Sequence, residues 1–210
     1  PENFQKVMRN YQVTGYRFLR TLDAYGFGGI LADDMGLGKT LQVISVIQAA
    51  KEEKSTGTSL VIAPASLIYN WQEEFEKVSS GLNVQVISGT KENRKTILDE
   101  YKNYDVLITS YDLLKRDIAE YEEKEFSYQI VDEAQYIKNH STAVAKAVKC
   151  IVSRTRYALT GTPIENRLSE LWSIFDYLMP GFLYGYENFR KELESPIVKN
   201  KDEKAADMLK

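Results

Sequence analysis

The run Asp33-Asp34-Met35-Gly36-Leu37-Gly38-Lys39-Thr40 has the make-up of a phosphate cradle. Gly36 and Gly38 can take backbone angles closed to other residues, which lets successive amides wrap an oxyanion chain. A helix opening near Lys39 aims its free N–H groups and the positive end of its dipole at the same anion. Lys39 would reach terminal phosphates, and Thr40 would offer its hydroxyl to a magnesium ion. A strict phosphate-loop pattern has glycine where Asp33 stands, so the text alone also fits a flexible helix cap. An apolar strand before the loop and helical patterning after it favour the cradle.

Hydrolysis at such a cradle needs a second element to hold the metal and prepare the water. Tyr128-Gln129-Ile130-Val131 reads as a strand, and it delivers Asp132-Glu133-Ala134-Gln135 at its carboxyl end. Ligands of open α/β sheets collect outside the carboxyl ends of strands. Asp132 would hold magnesium through water, and Glu133 would orient or deprotonate the attacking water. Alone, the pair is an acidic turn; with the upstream loop it becomes half of a hydrolytic site. The arrangement requires Lys39, Asp132 and Glu133 to converge from two neighbouring strand ends.

The elements that must place these groups alternate regularly. Strands are expected over 29–32, 60–63, 84–87, 106–109, 128–131 and 156–160. Helices are expected over 39–53, 67–78, 142–151 and 168–178, with polar helical stretches after the third and fourth strands. Strand–helix alternation predicts an α/β domain with a parallel sheet of about six or seven strands and helices on both faces. The continuous apolar runs Leu60-Val61-Ile62-Ala63 and Val106-Leu107-Ile108-Thr109 suit strands buried on both sides. Pro180-Gly181 closes the last firm helix. The domain is therefore set at 1–181, with 182–210 as a helical appendage or the start of a connection.

Length and composition agree with this. The 210 residues are 43% hydrophobic and 27% charged, enough for one large domain with a real core. No apolar run approaches the roughly 20 residues that span a bilayer, and no signal peptide is visible. The one cysteine, Cys150, excludes an internal disulfide and is expected in the core. His140 has no cysteine or histidine near it and reads as a loop residue, with Ser141 as a cap for the next helix. The net charge of −3 means that any grip on nucleic acid must be local. From 134 to 164 there is no acid, while Lys138, Lys146, Lys149, Arg154 and Arg156 occur; 117–125 is the acidic reverse. A basic face and separate solvated helix faces both fit that pattern. A chain opening on Pro1 suggests an excised piece, expected to be monomeric and intracellular, cytoplasmic in a bacterium or nuclear in a eukaryote.

In order along the chain, these motifs resemble one family. Asp132-Glu133-Ala134-Gln135 resembles the acidic tetrad of superfamily-two helicases. Ile30 to Gln42 resembles the first motif of the Swi/Snf family of helicase-like, DNA-translocating ATPases. Leu60-Val61-Ile62-Ala63-Pro64-Ala65-Ser66-Leu67, with Asn70-Trp71 and Glu74-Phe75, is similar to its second block. Ile108-Thr109-Ser110-Tyr111-Asp112 is similar to its third. Leu159-Thr160-Gly161-Thr162-Pro163-Ile164, with Asn166 and Leu171-Trp172, is similar to the block after the tetrad. Upstream, Arg9-Asn10-Tyr11-Gln12 with Gly15 and Phe18-Leu19 resembles the adenine-reading segment.

The resemblance implies a RecA-like lobe that takes ATP and Mg2+ and works on double-stranded DNA. It implies Gln12, Asp34, Met35, Gly36, Leu37, Gly38, Lys39 and Thr40 as ATP contacts. Glu133, Lys39 and Asp132 would be catalytic, with Thr40 and Asp132 at the metal. Gln135, Thr160, Gly161 and Thr162 would couple nucleotide state to the track, and Ala65, Ser66, Thr109 and Ser110 would touch the DNA backbone. Trp71 reads as core rather than as a base-stacking platform. Two departures stand out: Gln135 replaces the histidine of many relatives, and nothing after Gly181 resembles the family's second lobe with its arginine finger. The piece alone is therefore expected to bind ATP weakly and turn over very slowly. A strand-separating helicase lobe and a non-catalytic docking module are the competing readings. The text around 33–42 and 64–75 speaks against the first, and intact Lys39, Thr40, Asp132 and Glu133 against the second.

Overall fold

The computed structural model describes residues 1, 4, 6–34, 36–54, 57–161 and 167–209. Its centre is a six-stranded parallel sheet. The strands are β1 (Gly29–Leu31), β2 (Ser59–Ala63), β3 (Val84–Val86), β4 (Val106–Ser110), β5 (Glu125–Val131) and β6 (Val152–Leu159), in the spatial order β1-β6-β5-β2-β4-β3. On β2 the side chains alternate faces as a strand period of two requires. Val61 and Ala63 join one core, Leu60 and Ile62 the other. Helices cover both faces, which is why β2 and β4 are buried from end to end.

One face carries α1 (Asn10–Ala24), α2 (Lys39–Glu52) and α3 (Ile68–Val78), which contribute Leu19, Val43, Ile44, Ile47, Trp71 and Phe75. Ile68, Trp71 and Phe75 are the buried residues of α3, and their i, i+3, i+7 spacing makes one stripe on a helix. The other face carries α4 (Lys91–Asp99), α5 (Tyr111–Arg116), α6 (Ala143–Cys150) and α7 (Leu168–Leu178). Their contributions include Leu98, Leu114, Val148, Ile174 and Tyr177. Phe75 is fully buried, so its truncation to Ala would cost about 3–5 kcal/mol.

Several expectations change at this point. β5 and β6 are longer than their apolar stretches, because pairing continues through Glu125↔Val152 and Phe126↔Ser153 at the strands' exposed beginnings. The cap of α6 is Thr142, whose hydroxyl accepts from Ala145 N at 3.2 Å, whereas Ser141 bonds Asn139. Cys150 is exposed rather than in the core, since it ends α6 on the side away from Val148. β1 and β5 are not neighbours: β6 lies between them. The phosphate loop and the acidic turn thus start two strand spacings apart, about 10 Å, and Thr160 and Gly161 at the end of β6 fall between them.

After α7, the chain forms the short helices α8 (Tyr186–Phe189), α9 (Ser195–Asn200) and α10 (Glu203–Asp207), with a π-helical turn over Arg190–Glu194. Phe189, Leu193 and Ala205 make a small separate core with Trp172 of α7. His140 sits in this junction, its ring 4.1 Å from Tyr186 and edge-on to Trp172. Among the described residues, no helix is long and apolar enough to cross a membrane.

Candidate nucleotide site

Parallel strands bring their carboxyl ends to one edge, so the loops after β1, β2, β5 and β6 share it. At that edge lies a cleft of about 500 Å³ lined by Gly36, Gly38, Lys39, Thr40, Asp132 and Glu133. Gly36 and Gly38 hold φ of +83° and +73°, a region that costs other L-residues energy. At Gly38 a Cβ would also fall 2.3 Å from Gln12 Nε2. The Lys39 ammonium donates to the backbone carbonyls of Asp33 at 2.6 Å and Asp34 at 3.1 Å. Met35 lies outside the described residues.

The acidic turn is held from several sides. Asp132 N donates to Ile62 O at 2.8 Å, and Tyr111 Oη donates to Asp132 O at 2.6 Å. Asp132 Oδ1 accepts from Glu133 N and Oδ2 from the Trp71 indole N–H, each at 2.9 Å. Burial pushes the Asp132 carboxyl up, while those two donors, with Lys39 nearby, pull against it. Glu133 has φ +53°, an unfavourable position for a side chain with a Cβ, of the kind that clusters at functional sites. The turn directs the two adjacent carboxylates into one cleft. Glu133 Oε2 accepts from Gln135 Nε2 at 2.6 Å, and Gln135 Oε1 accepts from Thr160 Oγ1 at 3.4 Å. A polar relay therefore links the candidate base, across the β5–β6 boundary, to the end of β6. Thr162 lies outside the described residues, as do Pro163, Ile164 and Asn166.

A model of the SNF2-related domain matches residues 11–210. The chain belongs to this family. It is 43% identical over 188 residues to "Uncharacterized ATP-dependent helicase MG018" of Mycoplasma genitalium, an alignment that covers 89% of this chain and 18% of that protein. It is 39% identical over 218 residues to the TATA-binding protein-associated factor MOT1 of Saccharomyces cerevisiae, covering 98% of this chain and 12% of that one. Among solved structures, the Sulfolobus solfataricus SWI2/SNF2 ATPase core in complex with dsDNA superposes with a TM-score of 0.87 at 44% identity, covering 95% of this chain and 42% of that chain. The SNF2-related chain thus spans less than a fifth of these curated relatives' length. The sheet and its flanking helices are those of the SWI2/SNF2 ATPase core, a RecA-like fold.

Other predicted residues of this SNF2 lobe fall into distinct settings. Gln12 is buried, with Oε1 accepting from Arg9 N and Nε2 donating to Leu37 O at 3.0 Å, so it braces the phosphate loop. Ala65 and Ser66 are exposed in the loop after β2. Thr109 and Ser110 are not comparable: Thr109 is fully buried, and the Ser110 hydroxyl caps α5 by accepting from Leu113 N. Both side chains are covered, because they stand on an interior strand of the sheet. The basic run is largely paired internally. Lys138, Lys149 and Arg154 meet Glu170, Asp176 and Asp23, and Arg156 donates to Tyr177 O and Ile151 O. Separate local pairings replace the basic face.

Sequence reading missed four participants. Tyr11 Oη donates to Leu37 O at 3.1 Å beside Gln12. Glu74 and Asn70 line the cleft with Leu67 and Trp71; their 67, 70, 71, 74 spacing is one face of a helix and was a usable signal. The Trp71 N–H bond to Asp132 crosses 61 residues of sequence and left no local signal. A metal would find no cage of three His, Cys, Asp or Glu side chains among the described residues. The oxygen donors that share the cleft, the Thr40 hydroxyl and the Glu74, Asp132 and Glu133 carboxylates, instead suit Mg2+, which keeps waters and takes its remaining ligands from phosphates.

Proposed function

We propose that this chain is the ATP-binding and hydrolysing lobe of a Swi/Snf-type motor that moves along double-stranded DNA and remodels protein–DNA complexes. The observation that carries the reading is the single cleft in which Lys39 and Thr40 meet Asp132 and Glu133. Supporting it are the family membership and the double-stranded DNA held by the Sulfolobus solfataricus relative.

In this reading the phosphate-loop amides and Lys39 bind the β- and γ-phosphates. Thr40 and Asp132 hold Mg2+, which when bound neutralises charge developing on the phosphates. Glu133 accepts a proton from the attacking water, and its φ of +53° fixes where that carboxylate stands. Gln135 and Thr160 pass the state of the site toward the end of β6. Gln12 reads adenine through the amide edge not engaged with the phosphate loop. Ala65 and Ser66, exposed beside the cleft, contact the DNA backbone. A second RecA-like lobe completes the site with an arginine finger.

The test compares the lobe with a protein carrying both lobes. Steady-state ATPase should rise by about 10³–10⁵ when the second lobe is present, and double-stranded DNA should stimulate it more than RNA. Glu133→Gln should then reduce turnover by about 10²–10⁴ while nucleotide binding persists. A lobe that alone matches the two-lobe rate, or a two-lobe protein stimulated best by RNA, would refute the reading.

A further inference from the structure

Trp71 is 2% exposed, and it faces two ways. Its ring packs with Phe75, centroids 6.0 Å apart, in the core beneath α3. Its indole nitrogen, a donor only, reaches Asp132 Oδ2 at 2.9 Å, while the Glu133 amide takes Oδ1 at the same distance. Packing alone would be met by phenylalanine; a buried indole N–H needs an acceptor, and here the acceptor is Asp132, one of the two carboxylates that line the cleft at the end of β5.

The kind of donor matters. An arginine or lysine bound to Asp132 would both orient the carboxylate and neutralise it, and would then compete with a cation. The Lys39 ammonium, which lines the same cleft, donates instead to the Asp33 and Asp34 carbonyls. Two neutral N–H groups, one from α3 and one from the turn, fix the plane of the carboxylate and leave its charge in place. Each carboxylate oxygen has a second lone pair for a metal-bound water. The backbone of Asp132 is held independently, by Ile62 O and Tyr111 Oη, so the indole bond acts on the side chain alone.

We propose that Trp71 is a positioning residue for the metal-binding carboxylate, tying α3 to the magnesium side of the nucleotide site. The inference rests on reading Asp132 as the group that holds Mg2+. It predicts a defect specific to the metal rather than to the nucleotide.

The experiment measures the affinity of the 210-residue chain for a fluorescent, non-hydrolysable ATP analogue, with Mg2+ and with EDTA, and Mn2+ binding to the analogue complex by EPR. Trp71→Phe should weaken Mn2+ binding and the Mg2+-dependent part of analogue affinity on the order of tenfold, leaving affinity in EDTA within about twofold. In the Asp132→Asn background, Trp71→Phe should have no further effect on the metal. If Trp71→Phe unfolds the chain, benzothienylalanine at position 71 keeps the bicyclic shape and replaces the N–H by sulfur, and should show the same metal defect. Full metal dependence in the Trp71 variants, or an equal loss with and without metal, would overturn the inference while leaving Asp132 in its role. Full metal dependence in Asp132→Asn itself would overturn the reading of Asp132 and the inference with it.

Discussion

Two aspartates withdrawn from solvent are treated in opposite ways. Asp117, beyond the end of α5, is almost wholly buried and receives a two-pronged bond from Arg94 of α4 at 2.5 and 2.9 Å. Asp132 is half-buried, and among the described residues its side chain takes its hydrogen bonds from neutral N–H groups, with burial raising its pKa. The first carboxylate has its cation within the protein, so its role ends in holding α4 to the turn after α5. The second is oriented but not neutralised, which leaves it electrostatically incomplete until a cation arrives. A buried acid marks a site when its partners fix its direction without matching its charge.

The largest break of this contrast is Asp117→Ala. It leaves the Arg94 guanidinium buried without its partner, and should lower stability by about 3–5 kcal/mol in urea unfolding, with the nucleotide affinity of the folded fraction unchanged. A loss below about 1 kcal/mol would show that water takes over the pairing and that the two acids differ less than their surroundings suggest.

The same contrast recurs among hydroxyls, at smaller scale. Ser110→Ala removes the α5 cap and should cost about 1 kcal/mol, while Ser66→Ala, at an exposed loop position, should leave thermal stability within error and weaken only DNA-stimulated ATPase of the two-lobe protein. If Ser110→Ala impairs DNA stimulation without lowering stability, its hydroxyl leaves the cap to meet the track.

The smallest effect is a change of sign. Because burial raises the folded-state pKa of Asp132 above its unfolded value, stability associated with this group is fully present below the unfolded pKa and is lost as pH rises through the folded one. Asp132→Asn removes that penalty, so its melting temperature at pH 7 should equal or slightly exceed that of the unaltered chain. The difference should vanish below about pH 4. A lower melting temperature at pH 7 would mean that the Trp71 and Glu133 donors more than offset the burial of the charge.

Much of this was legible beforehand because its causes are local. Gly36, Gly38, Lys39 and Thr40 announce a turn, a cradle and a helix start within a few residues. The apolar runs of β2 and β4 declare burial on both faces, and alternation of strand and helix declares a parallel sheet. Asp132 and Glu133 were readable because an apolar strand ends on them. Less was legible where one residue's surroundings are set from afar. Asp117 looked like part of a solvated acidic run, and its match to Arg94 spans 23 positions. Thr109 and Ser110 carried the right chemistry for a phosphate contact, but their side chains lie inside the fold.

By itself, the sequence determined the fold class and where a glycine-rich turn and two adjacent carboxylates follow their strands, because each depends on patterns no longer than one element and its turn. Only the tertiary structure decided that β6 lies between β1 and β5, that Gln135 joins Glu133 to Thr160, and that Trp71 holds Asp132. Strand order and crossovers set those distances, and a hydrogen bond, falling off within a fraction of an ångström, depends on position in space rather than on separation along the chain.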